Sequence, residues 1–197
     1  MATMYDRIYA AAEPYWHTRS NDIHVPESYV LAQLLLHHYA EADEEIVLPA
    51  ILLHDIGYMG IPEETQMQGL AGSALGWDAD ITRIHEREGA RLAGEILTSL
   101  DYNPEKITRI VQIIDRHDSC KEPLSLDDAI VKDADKLWRF TVSGVQICHI
   151  WMNKTPEVYM NFVEARIADW MLTEQGAAIA QSLLEQSRHF YATRSEG

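Results

Sequence analysis

The chain has 197 residues, 47% of them hydrophobic and 24% charged, which suits one domain with a sizeable core and excludes a disordered or fibrous polymer. Its formal charge of −15, from 16 Lys and Arg against 31 Asp and Glu, disfavours polymeric DNA or RNA as a partner, because such binding depends on neutralising phosphates. No apolar run reaches the roughly 20 residues needed to span a bilayer, the N-terminus lacks a basic and apolar leader, and Cys120 and Cys148 match no zinc spacing. The sequence therefore reads as cytoplasmic, with no membrane partner and with both thiols serving as reduced packing residues.

Along the chain, apolar periodicity predicts helices near 3–12, 22–42, 45–56, 80–100, 104–118, 126–151 with a break near Gly144, 156–172 and 174–191. Alternating strand patterns are absent, so the expected class is all-α. No repeat or Pro/Gly/Ser-rich linker marks a boundary, and a single domain over 1–197 follows. Asn21 or Asp22 is placed as the cap of the second helix, with Pro26 in its first turn. Asn103-Pro104 and Thr155-Pro156 read as an N-cap followed by proline at the first helical position. The segment from Gly57 to Trp77 carries Gly57, Gly60, Pro62, Gly69, Gly72 and Gly76. It exceeds the length of a passive connector and is assigned as a lid or substrate loop.

Helical spacing sets several metal-capable side chains on apolar stripes. His54 follows Val47, Ala50 and Ile51, with Asp55 beside it. His85 follows Ile81 and Ile84, His117 follows Ile110, Ile113 and Ile114, and Asp135 sits between Val131 and Trp138. A buried aspartate needs a cation or must neutralise itself. Few Lys or Arg share those stripes, so divalent metal ions are the natural counter-charge. His24 opens the second helix. His37 and His38 sit beside Tyr39 and Glu41 near a helix end and read as half exposed, and His17, His149 and His189 have no partner at metal spacing.

His24 in SNDIHVPESY, the His54-Asp55 doublet in LLHDIG and Asp135 in VKDADKLW together resemble the H…HD…D signature of the HD-domain superfamily of metal-dependent phosphohydrolases. The resemblance runs from about 20 to 140 and takes in His85 in HEREGARLAGEIL and His117 in RIVQIIDRHD. It is closest in kind to members that carry two further histidines and hold two divalent ions, often iron or manganese. It implies an all-α HD-type helical bundle in which residues 141–197 complete the core. His24, His54, Asp55 and Asp135 would bind one ion and His85 and His117 the second, with Asp55 bridging and positioning a hydroxide. Two divalent ions and two aspartates leave about +2 for that hydroxide and a small anionic phosphorylated substrate.

The stretch HDIGYMGIPEE resembles the opening of HD-GYP cyclic dinucleotide phosphodiesterases, but Tyr58 stands where they have lysine and the later GYP triplet is missing. The HDxxED arrangement of alarmone hydrolases is absent too. The expected function is metal-dependent hydrolysis of a small phosphate ester of the nucleotide or dinucleotide class, with Lys136 and Tyr58 as substrate contacts. The alternative keeps fold and ligands but makes the chain a di-iron oxygenase. A non-catalytic sensor is disfavoured because none of the six ligand positions is lost. Trp151, Tyr159, Phe162, Trp170, Phe190 and Tyr191 are assigned to the core or to a homodimer face.

Overall fold

The computed structural model describes residues 2–62, 64–66 and 79–194, and among them it contains helices and turns but no strand. In chain order the α-helices are α1 (Met4–Ala12), α2 (Asn21–Leu36), α3 (Glu44–Leu53), α4 (Ala79–Ser99), α5 (Pro104–Ile114), α6 (Leu126–Leu137), α7 (Val142–Trp151), α8 (Pro156–Glu164), α9 (Ile167–Trp170) and α10 (Glu174–Arg194). No helix is long and apolar enough to cross a membrane among these residues.

α3 is the axis of the fold. Every residue from Ile46 to Leu53 is buried, as a helix that is apolar all round must be. α1, α2, α5 and α6 pack around it. The apolar core continues from Ile8 and Trp16 through α3 to Ala180 and Leu184 in α10.

Helix starts follow their caps. Asn103 Oδ1 accepts from the amides of Glu105 and Lys106 at 2.9 and 3.3 Å, and Thr155 Oγ1 accepts from the Val158 amide at 3.3 Å, each ahead of a proline that needs no amide partner. α2 departs from expectation. It begins at Asn21 behind Ser20, which adopts a left-handed conformation and makes no side-chain cap, and it ends at Leu36. Neither Asn21 nor Asp22 caps it.

Three other boundaries differ from periodicity. α3 stops at Leu53 and α5 at Ile114, so His54, Asp55 and His117 lie beyond helix ends. The stretch 126–151 breaks at the 3-10 turn Trp138–Phe140 and extended Thr141, whose Oγ1 caps α7 through the Gly144 amide at 3.0 Å. Gly144 lies just inside α7, where a Cβ would overlap the Trp138 carbonyl. The stretch 156–172 divides between Glu164 and Ile167.

The segment expected to be irregular from Gly57 opens instead as a packed 3-10 turn, Ile56–Gly60, with Gly57 and Tyr58 buried against α4. Its stretch 67–77, which carries Gly69, Gly72 and Gly76, lies outside the described residues.

Candidate metal centre

Three helices and two helix ends converge on one point. α2 supplies His24, α4 supplies His85 and α6 supplies Asp135, while the C-terminal end of α3 supplies His54 and Asp55 and the end of α5 supplies His117. The two helix-end histidines are fixed by the carbonyls that a terminating helix leaves open. His54 Nδ1 donates to Ile51 O at 2.7 Å and His117 Nδ1 to Ile114 O at 2.8 Å. His85 Nδ1 reaches Ile81 O at 3.3 Å, and His24 Nδ1 meets the Ser28 hydroxyl at 3.2 Å.

A carbonyl only accepts, so His54, His85 and His117 each carry a proton on Nδ1, and Nε2 faces inward; the Ser28 hydroxyl can donate or accept at His24, whose Nε2 also faces inward. The inward atoms form two sets. His24 Nε2 lies 3.0 Å from His54 Nε2, 3.2 Å from Asp135 Oδ1 and 3.7 Å from Asp55 Oδ2. His54 Nε2 lies 3.6 Å from Asp55 Oδ2 and 3.7 Å from Asp135 Oδ1. On the other side, His85 and His117 Nε2 lie 3.4 Å apart and 3.9 and 3.6 Å from Asp55 Oδ1. The two oxygens of Asp55 thus face different sets.

The spacing within each set is compatible with a bound ion. Donors about 2.1 Å from a common ion stand roughly 3.0–3.4 Å apart at octahedral or tetrahedral angles, and most pairs here are within a few tenths of that. Lone pairs and carboxylates turned on one another at such distances need cations between them. Two overlapping groups, His24, His54 and Asp55 and then Asp55, His85 and His117, are each compact enough to hold an ion.

The charge balance shows the same need. Burial opposes ionisation of Asp55, but His54, His117, His24 and His85 outweigh it and hold its carboxyl far below the usual range. Asp135 is likewise drawn well below its ordinary value, against burial, by His24 and His54. Burial disfavours a charged His117, yet Asp118 and Asp55 lift it to about 10, whereas burial and then the neighbouring His117 push His85 down to about 4. The carboxylates thus draw positive charge toward the cluster, which a divalent ion would supply.

Sequence reasoning missed two residues. Asp118 Oδ2 lies 3.6 Å from His85 Nε2 and 3.7 Å from His117 Nε2, a position comparable to that of Asp55 Oδ1. It sits past the end of α5, where helical periodicity carries no information, but the His117-Asp118 doublet repeats His54-Asp55 and was the available signal. Glu86, buried on α4, accepts from the amides of Asp118 and Ser119 at 2.9 and 2.7 Å and pairs with Arg83, which fixes the turn that bears Asp118. Nothing in its spacing distinguished it from a solvated helix residue.

The two residues read as substrate contacts line different cavities. Tyr58 stacks on His85 with ring centroids 4.0 Å apart and planes 12° from parallel, and the Arg19 guanidinium lies 4.1 Å from the same ring. Lys136 donates to Lys132 O at 3.5 Å and lines a neighbouring cavity of about 200 Å³. Trp151, Tyr159, Phe162 and Trp170 line that cavity as well, so they form the wall of a chamber beside the centre. Cys148 is buried and Cys120 half-buried, and both are free thiols.

The family model described as HD domain matches residues 21–139, whereas no curated protein and no solved structure matches the chain. That span runs from the first residue of α2 to the turn after α6 and contains all seven converging side chains. By this match over more than half its length, the chain belongs to the HD domain family, a superfamily of metal-dependent phosphohydrolases.

Proposed function

We propose that the chain hydrolyses a small phosphate ester, of the nucleotide class or of similar size, at a centre of two divalent ions, iron or manganese. His24, His54, Asp135 and Asp55 would hold the first ion; His85, His117, Asp118 and Asp55 would hold the second. The observation that carries this reading is the orientation of the four imidazoles. Each is anchored through Nδ1 and aims Nε2 at an oxygen of Asp55. A mixed nitrogen and carboxylate set of this kind suits manganese and iron.

When bound, the ions would supply hydroxide at neutral pH and stabilise charge on phosphoryl oxygens. The protein's own part is to hold charge and position. Three carboxylates and neutral imidazoles leave about +1 on two divalent ions, enough to attract an anion without trapping it. Asp55 fixes the separation of the two halves. Glu86 and Arg83 keep Asp118 in place, and Tyr58 keeps the His85 ring from turning. The reaction consumes one water: its oxygen joins phosphorus, the ester P–O bond breaks with its electron pair on the leaving oxygen, and a proton goes to that oxygen.

With manganese or iron supplied, phosphate or a nucleoside monophosphate should be released from at least one member of a phosphoester panel, and chelation should abolish release. A loaded protein that is inert on the panel but consumes oxygen would replace this reading with the di-iron oxygenase.

A further inference from the structure

Two cavities meet at the centre. The smaller, about 20 Å³, lies over His24, Asp55, Asp118 and Asp135. Its remaining wall offers mainly hydrogen-bond donors. Asn21 Nδ2, Tyr58 OH and Trp138 Nε1 are buried and lack a partner among the described residues, and the side chains of Arg19 and Arg139 reach the same space. Those three account for half of the six partnerless buried side-chain nitrogen and oxygen atoms among the described residues. Buried donors are normally satisfied, so three around one chamber mark a place for a group rich in acceptors. A phosphoryl group, with acceptor oxygens only, is such a group.

Strain in the backbone supports a built site. Arg19 and Ser20, consecutive non-glycine residues, have φ of 53° and 57° immediately before Asn21. Residues held in the left-handed region persist where surrounding structure demands it. Here the turn brings Arg19 to within 4.1 Å of the Tyr58 ring and 5.8 Å of the Trp151 ring, both of which also line the small chamber.

The larger cavity, about 200 Å³, is of the opposite character. Its walls include Trp151, Tyr159, Phe162, Trp170 and Leu172, with Lys132 and Lys136 among its polar residues. Asp118, Arg139 and Trp151 line both cavities, so the two adjoin. A dry cavity of about 150 Å³ accommodates benzene. The larger chamber therefore has room for a single ring or a short alkyl chain, and not for two nucleosides.

We propose that the substrate is a phosphate monoester that presents one phosphoryl oxygen to the small donor-lined chamber, which has room for a single atom of that size, and whose ester group is one apolar, ring-sized body in the large aromatic chamber. This rests on the hydrolase reading above and narrows it, turning away from dinucleotides toward compact amphiphilic esters.

The test is calorimetric binding of two non-hydrolysable probes, methylphosphonate and phenylphosphonate, to the full chain loaded with manganese. Phenylphosphonate should bind tighter by about ten-fold or more, from burial of its ring. Phe162→Ala and Trp170→Leu should each bring that ratio toward one. A wild-type ratio near or below one overturns the proposal, and so does a ratio that neither variant changes. The wild-type ratio decides by itself if a variant fails to fold. Phosphate release from phenyl phosphate separates this assignment from the hydrolase reading. A high ratio without release keeps the two chambers and removes the hydrolysis; release from other esters with a ratio near one does the reverse.

Discussion

At the scale of single residues, the centre is unequal in what each side chain holds together, and that inequality is measurable. Asp55 places one oxygen in each donor set, so Asp55→Ala should empty both sites. In the proposed centre His85 and His117 would serve only the second, so His85→Ala or His117→Ala should lower metal content from two ions per chain toward one. Asp118→Asn keeps shape while removing charge, and should weaken the second ion by about 10-fold or more. Elemental analysis per folded chain checks all three. If His85 and His117 are ordinary core histidines, their variants lose stability with unchanged stoichiometry. Five of these seven residues were legible in the sequence because each sits on, or just beyond, an apolar helical stripe, and His24 through its place in the H…HD…D signature. Asp118 went unread: a residue in a turn has no period to betray its direction, and its one signal was that His117-Asp118 repeats the His54-Asp55 doublet.

Between elements, packing is close enough that two substitutions should separate site-building contacts from bulk burial. The 3-10 turn Ile56–Gly60 lies directly on α4, and a Cβ on Gly57 would overlap the His85 carbonyl and stand 2.5 Å from the Gly89 nitrogen. Backbone cannot yield as a side-chain tip can. Gly57→Ala should therefore cost about 1–3 kcal/mol in denaturant unfolding and, by pushing α4 away, should lower occupancy of the second ion. α6 carries a second sensitive contact. Lys132 Nζ lies 3.1 Å from Asp128 Oδ2, both fully buried one turn apart, and the Leu124 amide donates to the same oxygen at 2.7 Å. Lys132→Ala leaves that carboxylate uncompensated and should destabilise by about 3–5 kcal/mol, whereas Asp128→Leu with Lys132→Met should cost far less. Helix existence was readable from period and caps, but the ends of α2, α3 and α5 were not. The start of α2 is set by the left-handed turn ahead of Asn21, and the stops of α3 and α5 by imidazoles bonding to last-turn carbonyls, which are tertiary facts.

For the molecule as a whole, the buried cluster should make stability depend on pH in opposite senses with and without metal. In the metal-free chain His117 is lifted to about 10 and His54 is also raised, against burial, by neighbouring carboxylates. A raised imidazole contributes stability that is complete below its ordinary 6.5 and is lost as pH climbs through the folded value. His85, pushed to about 4, and His24, also lowered, act the other way: the fold resists their protonation, so stability falls as pH drops below 6.5. Asp55 and Asp135, both held low, add a further loss only when pH falls below the ordinary carboxylate value. The metal-free chain should accordingly be most stable near pH 6.5 and weaken steadily toward 10. Bound ions require deprotonated imidazoles, so the manganese-loaded chain should gain stability from pH 6.5 to 8 as competition from protons fades. Calorimetric Tm values at pH 6.5, 7.5 and 8.5, with chelator and with manganese, should diverge as pH rises. Parallel curves would mean that the seven side chains neither gather protons when empty nor exchange them for metal.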